Sequence, residues 1–260
     1  MAFYYIRQDE LASYGATVTT TVGATDSDYN DDWICDGRCG RPARSASFGS
    51  PSTTGTVTWS ASFSSAQVGL IAVCNCNSNV NATIGGGVTG TVIAGALGEN
   101  GIRLSGWLAP TPVTITGLTV GFSGAADDVV LGEFVFGKRR TLTNVNGGNG
   151  GPRMSDLAFE LIDFAEDDQG EFISVPPYDR GLEQRRLKGS NVYTTAQLAD
   201  LQSWFRAQRA STKPSLIVPD SAVNDAWLVR FVGLTYRPAV SRSDIWQVEL
   251  DFLEYPRSRW

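Results

Sequence analysis

Four cysteines carry the sharpest chemistry in the sequence. Cys35 and Cys39 are spaced C-x3-C in a stretch rich in Asp and Gly, and Cys74 and Cys76 are spaced C-x-C at the end of an apolar run. On a strand, residues two apart project to one face, so Cys74 and Cys76 are expected to point the same way and to converge with the other pair. Four thiolates would suit tetrahedral Zn²⁺ or an iron–sulfur cluster. Neither pair has the two-residue gap usual in metal knuckles. Two further states are open: disulfides, which need an oxidising compartment, and buried thiols in a reducing cytoplasm. A bridge within Cys74–Cys76 would be strained, so disulfides would join one pair to the other.

The chain has no histidine. A Ser-His-Asp or Cys-His relay and any His-ligated metal are therefore excluded. Paired carboxylates survive that cut, because Asp and Glu alone can run glycoside hydrolysis, but no pair stands out among the 27 acidic residues. Asp26, Asp28, Asp31 and Asp32 offer oxygen ligands of the kind Ca²⁺ takes, yet the run lacks the Gly and terminal Glu of an EF-hand loop. It reads as a solvated acidic loop. The basic group Arg180, Arg185, Arg186 and Lys188 has Asp179 and Glu183 within it, so ion pairing explains it more simply than nucleic acid. The net charge of -6 also argues against an unaided nucleic-acid binder.

These residues must be positioned by mostly β elements. Between residues 16 and 137, short β-favouring runs (16–22, 56–59, 68–73, 90–94, 112–116 and 133–136) alternate with turn residues, and helical spacing is nearly absent. An antiparallel jelly-roll β-sandwich over 16–142, preceded by an N-terminal arm at 1–15, is the simplest closure. The surface changes afterwards: acidic residues outnumber basic ones two to one before residue 131, and the first lysine is Lys138. The Gly/Asn-rich stretch 143–152 is expected to be a linker or exposed loop.

Residues 153–260 read as a smaller α+β domain. Leu157 to Phe164 fits a strand or a short helix, with strand preferred. Thr194-Thr195-Ala196-Gln197 matches a capping box, and Leu198, Leu201, Trp204 and Phe205 follow on one face, which predicts a helix near 195–210. Lys213-Pro214 ends it. Trp227, Val229 and Phe231, and then Trp246, Val248, Leu250 and Phe252, alternate with mostly polar residues, as two half-buried strands of one antiparallel sheet do. The helix would cover that sheet, with Trp204, Trp227 and Trp246 as core anchors.

Two resemblances follow from these stretches. Leu131 to Lys138, Tyr178-Asp179-Arg180, Arg185-Arg186-Leu187, Leu198 to Leu201, Pro214 to Asp220, Ala226 to Phe231 and Ile245 to Glu254 together resemble tail-tip and baseplate structural proteins of long-tailed bacteriophages. That resemblance implies a tail-tube-like assembly module forming a homo-oligomeric ring or hub-bound cap with other tail proteins (tube, hub, fibre), placed in the virion after assembly in the host cytoplasm. The first half, through Asn30-Asp31-Asp32-Trp33, Asp36-Gly37 and Val68 to Val73 followed by Asn75-Cys76-Asn77, resembles galactose-binding-like or discoidin-like sandwiches. Such domains often bind sugars through loops at one end, although the aromatic-plus-Arg constellation of a sugar site is not located in the sequence.

Three function classes are then open: a non-enzymatic virion assembly protein, a module binding bacterial surface glycans, and a two-carboxylate glycan hydrolase. No run of about 18 apolar residues suggests a membrane span. The start, Met1 to Arg7, lacks the layout of a secretory signal, so export by the general route is expected only if a leader was trimmed.

Overall fold

The computed structural model describes residues 3–36, 42–48, 54–77, 80–92, 103–125, 128–145, 157–161, 164–166, 172–174, 183–211, 213–218, 226–239 and 244–254. The strands are β1 (Phe3–Ile6), β2 (Thr17–Val22), β3 (Ala43–Arg44), β4 (Gly55–Cys76), β5 (Ala82–Gly86), β6 (Gly90–Val92), β7 (Arg103–Ala125), β8 (Val130–Gly137) and β9 (Arg140–Leu142). They continue with β10 (Leu157–Leu161), β11 (Phe164–Glu166), β12 (Phe172–Ser174), β13 (Glu183–Thr194), β14 (Ser215–Val218), β15 (Trp227–Pro238) and β16 (Ile245–Glu254), with helix α1 at Thr195–Arg209. The chain is mainly β, and every strand pair within its sheets is antiparallel.

The sandwich is built from one sheet folded over on itself. Its order is β3-β8-β4-β7-β5-β6, with β2 also pairing β4. Two short predicted strands, 56–59 and 68–73, are parts of the single long β4, whose pairing with β7 shifts register between Ser62 and Ala66 and again between Val68 and Leu70. Such irregularities bend a strand and sharpen its twist. Val57, Trp59 and Ala61 before the bend and Ile71, Val73 and Cys76 after it consequently share one core with Val120, Phe122, Phe134 and Phe136.

The second sheet has seven strands in the order β10-β13-β16-β15-β14-β1-β9. Phe3–Ile6 is thus not part of an arm. It lies between β14 and β9, pairing Tyr5 with Ile217 on one side and with Arg140 on the other, because Phe3 and Tyr5 bury against the helix side of the sheet. The sandwich is inserted between two neighbouring strands of this sheet. Helix α1 carries the predicted capping box: the Thr194 hydroxyl accepts from the Gln197 amide, and the Gln197 side chain accepts from the Thr194 amide. Leu198, Leu201 and Trp204 pack on Tyr5, Phe231 and Phe252. Trp204 and Trp227 are fully buried anchors, whereas Trp246 packs at the margin of this core and donates to the Thr195 hydroxyl at 3.0 Å.

The two sheets share a third apolar layer, formed by Leu70, Ala72, Cys74 and Val135 of the sandwich against Ile6, Leu11, Leu216, Val218 and Leu228. A strand buried on both faces loses its polar alternation, which explains the unbroken apolar runs Leu70–Cys74 and Leu216–Val218. The helix side of the sheet also carries a charged cluster. Arg140 holds Glu10 by two hydrogen bonds of 2.6 Å and Asp200 by one of 2.8 Å, and the Tyr5 hydroxyl donates to Asp200 at 2.6 Å. Burial, with the neighbouring carboxylate, pushes the Tyr5 phenol far up. The start of the expected linker is docked, since the Thr143 carbonyl accepts from Gln197 and the Val145 amide donates to Val192; residues 146–152 lie outside the described residues.

Candidate functional site

At one end of the sandwich, four segments meet around an aromatic pair. After β2, residues Ala24 to Asp26 run beside Arg44 to Ala46, held by the Asp26 amide on the Arg44 carbonyl at 2.9 Å and the Ala46 amide on the Ala24 carbonyl at 2.7 Å. The Asp28 amide donates to the Asp26 side chain at 3.1 Å, turning the chain. Asn30 then caps a 3-10 turn at Asp31–Cys35 by accepting from the Asp32 amide. This path sets Tyr29 and Trp33 edge to face, ring centroids 6.2 Å apart and both half-buried.

Arg44 lies over the Tyr29 ring at 5.9 Å and donates its Nε to Asp128 at 2.6 Å. Hydrogen bonds to Asp128 and Tyr29 raise its already high pKa, so it is a permanent cation. Asn77 fixes the opposite wall, donating to the Asp128 carbonyl at 3.0 Å and accepting from the Val130 amide at 2.7 Å. The result is a small aromatic platform, Trp33 meeting Tyr29 edge to face with Arg44 over one face of the Tyr29 ring, beside a guanidinium–carboxylate pair in which Arg44 is 41% and Asp128 27% exposed. Chemically it can stack an apolar ligand face and hydrogen-bond a polar edge. Sequence reasoning missed it because Arg44 and Asp128 lie 84 positions apart; of its residues only Trp33, in Asn30-Asp31-Asp32-Trp33, was singled out, and a signal that could have been read is Tyr29 four positions before it among turn residues.

The acidic loop is solvated as expected at Asp28 and Asp32 and departs from that reading at Asp31. Asp31 accepts from the Thr20 amide at 2.7 Å, from the Thr20 and Thr25 hydroxyls, and from the Trp59 indole at 3.1 Å. Asp32 accepts from the Val18 amide at 2.7 Å. Both carboxylates clamp the loop to β2, Asp31 half-buried and Asp32 still exposed, because β2 leaves those amides without a strand partner on that side. Of the basic group, Arg186 forks onto Asp251 at 2.9 and 2.7 Å and Lys188 meets Glu249 at 2.8 Å. Ion pairing therefore accounts for both, although the partners lie on β16 and not in the local run; Arg180 is outside the described residues.

The cysteines do not converge as the strand spacing suggested. A register shift against β7 separates Cys74 from Cys76 on β4, and such a bulge reverses the alternation of faces. Cys74 enters the layer between the sheets, while Cys76 and Cys35 enter the sandwich core. Cys35 donates weakly to the Phe134 carbonyl at 3.5 Å. Burial and the nearby Glu133, Asp32 and Asp36 push its thiol well up, away from the thiolate a metal needs. Among the described residues no group of three or more potential ligands comes together, and the buried thiols Cys35, Cys74 and Cys76 are not linked as disulfides. Cys39 lies outside the described residues. A four-thiolate centre does not fit this donor set. Alkylation of the native protein at pH 8 is expected to leave Cys35, Cys74 and Cys76 unmodified in peptide mass spectra, with modification following denaturation; freshly purified protein carrying stoichiometric zinc or iron would contradict this placement.

No protein-family model and no curated protein matches the chain. Solved structures similar to it include the family 32 carbohydrate-binding module of Clostridium perfringens NanJ in complex with galactose, at 16% identity and a TM-score of 0.37, covering 53% of this chain and 99% of that one. The lectin domain of lectinolysin complexed with Lewis B antigen is 12% identical with a TM-score of 0.37, covering 48% and 94%. SpGH29 is 14% identical with a TM-score of 0.38, covering 52% of this chain and 29% of that one. These likenesses concern the fold alone and assign no residue of the loop-end patch a role.

Proposed function

We propose that the chain is a non-catalytic glycan-recognition protein whose sandwich binds saccharide at the Tyr29–Trp33 platform. The carrying observation is that platform with Arg44 and Asp128 beside it. A sugar ring has an apolar C–H face and a rim of hydroxyls that donate and accept; aromatic faces suit the first, and planar charged groups suit the second. The carboxylates around the patch are committed, Asp31 and Asp32 to the loop clamp and Asp128 to Arg44. That favours binding over hydrolysis, which needs one carboxyl kept protonated and another poised opposite it. Calorimetric titration with galactose, N-acetylgalactosamine and bacterial surface polysaccharide is the test. Binding of at least one is expected, weakened about 30-fold or more in Trp33→Ala, the loss of a hot-spot aromatic of about 2 kcal/mol. Absence of binding across the set, or binding indifferent to both Trp33→Ala and Arg44→Ala, refutes the reading.

A second reading concerns the seven-stranded sheet. Its order ends at β9 and β10, and sheet edges offer backbone groups for pairing with another chain. This supports a role as an assembly body in a phage tail tip, joining copies and other tail proteins while the inserted sandwich is displayed. Light scattering at micromolar concentration is expected to show a closed oligomer; a strict monomer that joins no ring in reconstitution with tail-tube and hub proteins removes this reading.

A further inference from the structure

Opposite α1, the sandwich covers the seven-stranded sheet at β1 and β14, and away from it β13, β16 and β15 carry a groove of about 340 Å³ lined by Ser190, Thr235, Tyr236, Arg237, Gln247 and Glu249. It is created by one inserted residue. Pairing of β15 with β16 runs Phe231 with Phe252 and then Gly233 with Asp251, leaving Val232 extra and 41% exposed. Without that insertion, Thr235 and Arg237 would fall opposite Val248 and Trp246, on the helix side. With it they lie opposite Glu249 and Gln247, and Leu234 turns to the core instead. Gly233 permits the bulge, since a Cβ there would stand 3.0 Å from the Asp251 side chain. Bulges recur where a strand must re-aim side chains at a site.

The re-aimed groups hold one another in place. Arg237 Nε donates to Gln247 Oε1 at 2.9 Å, Gln247 Nε2 donates to Ser190 at 3.2 Å, Thr235 donates to Glu249 at 3.4 Å, and Lys188 pairs Glu249 at 2.8 Å. The planar amide, guanidinium and carboxylate are thus oriented before any ligand arrives, which lowers the entropy of binding. Donors and acceptors alternate along the groove, and Glu249, paired with Lys188, offers carboxylate oxygens beside the Arg237 guanidinium. Vicinal hydroxyls, each a donor and an acceptor, are the groups this array matches.

We propose that this groove is a saccharide-binding site for neutral oligosaccharides, distinct from the loop-end patch and standing whether or not that patch binds glycan. The test is an NMR titration of the ¹⁵N-labelled full chain with chitotriose, cellotriose and maltotriose, and with a sulfated disaccharide as the anionic arm. At least one neutral trisaccharide is expected to shift the Arg237 Nε and Gln247 side-chain amide signals saturably, with a dissociation constant of about 1 mM. Arg237→Ala and Gln247→Ala should each weaken this binding about tenfold or more without moving the thermal midpoint, and Trp33→Ala should leave it intact. If no neutral trisaccharide moves these signals at about 20 mM, or only the sulfated disaccharide does, the proposal is wrong. Shifts confined to residues around Tyr29 and Trp33 also overturn it while sparing the loop-end reading.

Discussion

Trp204→Ala is expected to lower the unfolding free energy by about 4 kcal/mol, the range seen when a buried aromatic leaves a cavity. Trp204 is fully buried and stacks on Tyr5 with ring centroids 4.4 Å apart, while Phe231 and Phe252 close around it at 4.8 and 5.3 Å. Its indole donates to the Ser215 hydroxyl at 2.9 Å, which itself donates to Gln208 at 2.7 Å. The alanine variant therefore loses both the ring volume and a buried hydrogen bond. Trp204→Phe keeps most of the volume and should cost about 1–2 kcal/mol, the value of the lost donor. Urea denaturation followed by circular dichroism measures both. A loss below about 1 kcal/mol for the alanine variant would mean that α1 is held to the sheet by other contacts.

The second large effect is expected at Asp31. Its carboxylate gathers Thr20, Thr25 and Trp59, so Asp31→Ala strands the Thr20 amide and leaves the buried Trp59 indole only its longer bond to the Thr25 hydroxyl at 3.4 Å. Hydrogen bonds to a charged acceptor contribute about 1.5–3 kcal/mol each, and unmet buried donors add a penalty; a loss of about 3 kcal/mol is expected. Amide exchange at Thr20 should accelerate more than exchange at Val248, because the damage is local to the sandwich. Since Asp31 begins the turn that presents Trp33, glycan affinity should fall with it. An unchanged thermal midpoint together with unchanged Thr20 exchange would show that the clamp contributes nothing.

The reach of sequence reasoning tracks the range of the interactions involved. The capping box at Thr194, the helix face of Leu198, Leu201 and Trp204, and the apolar face of Val248, Leu250 and Phe252 depend on neighbours within a few positions and are found as read, whereas Asp251 on the face read as wet is buried, paired with Arg186. Phe3–Ile6 was illegible as an interior strand, because its partner Ile217 lies more than two hundred positions away. The bulges at Cys74–Cys76 and at Val232 reverse faces in ways that a strict period of two does not register. At the loop-end patch only Trp33 was singled out, within Asn30-Asp31-Asp32-Trp33, and the ion pair beside it joins Arg44 to Asp128, 84 positions apart in sequence and brought together by the pairing of β3 with β8. Asp31 looked like a solvated carboxylate because nothing local indicates that the Trp59 indole reaches it.

The insertion of the sandwich between β1 and β9 constrains the order in which the chain matures during synthesis. Phe3–Ile6 leaves the ribosome before the sandwich does, yet its partner at Leu216–Val218 is made only after it. The sandwich, complete by Gly137, is able to collapse while that first strand still waits with its apolar side chains uncovered. Final closure is then a long-range docking event of high contact order, the kind that slows folding, and a ribosome pausing between residues 143 and 214 would leave a finished sandwich tethered to an unfinished sheet.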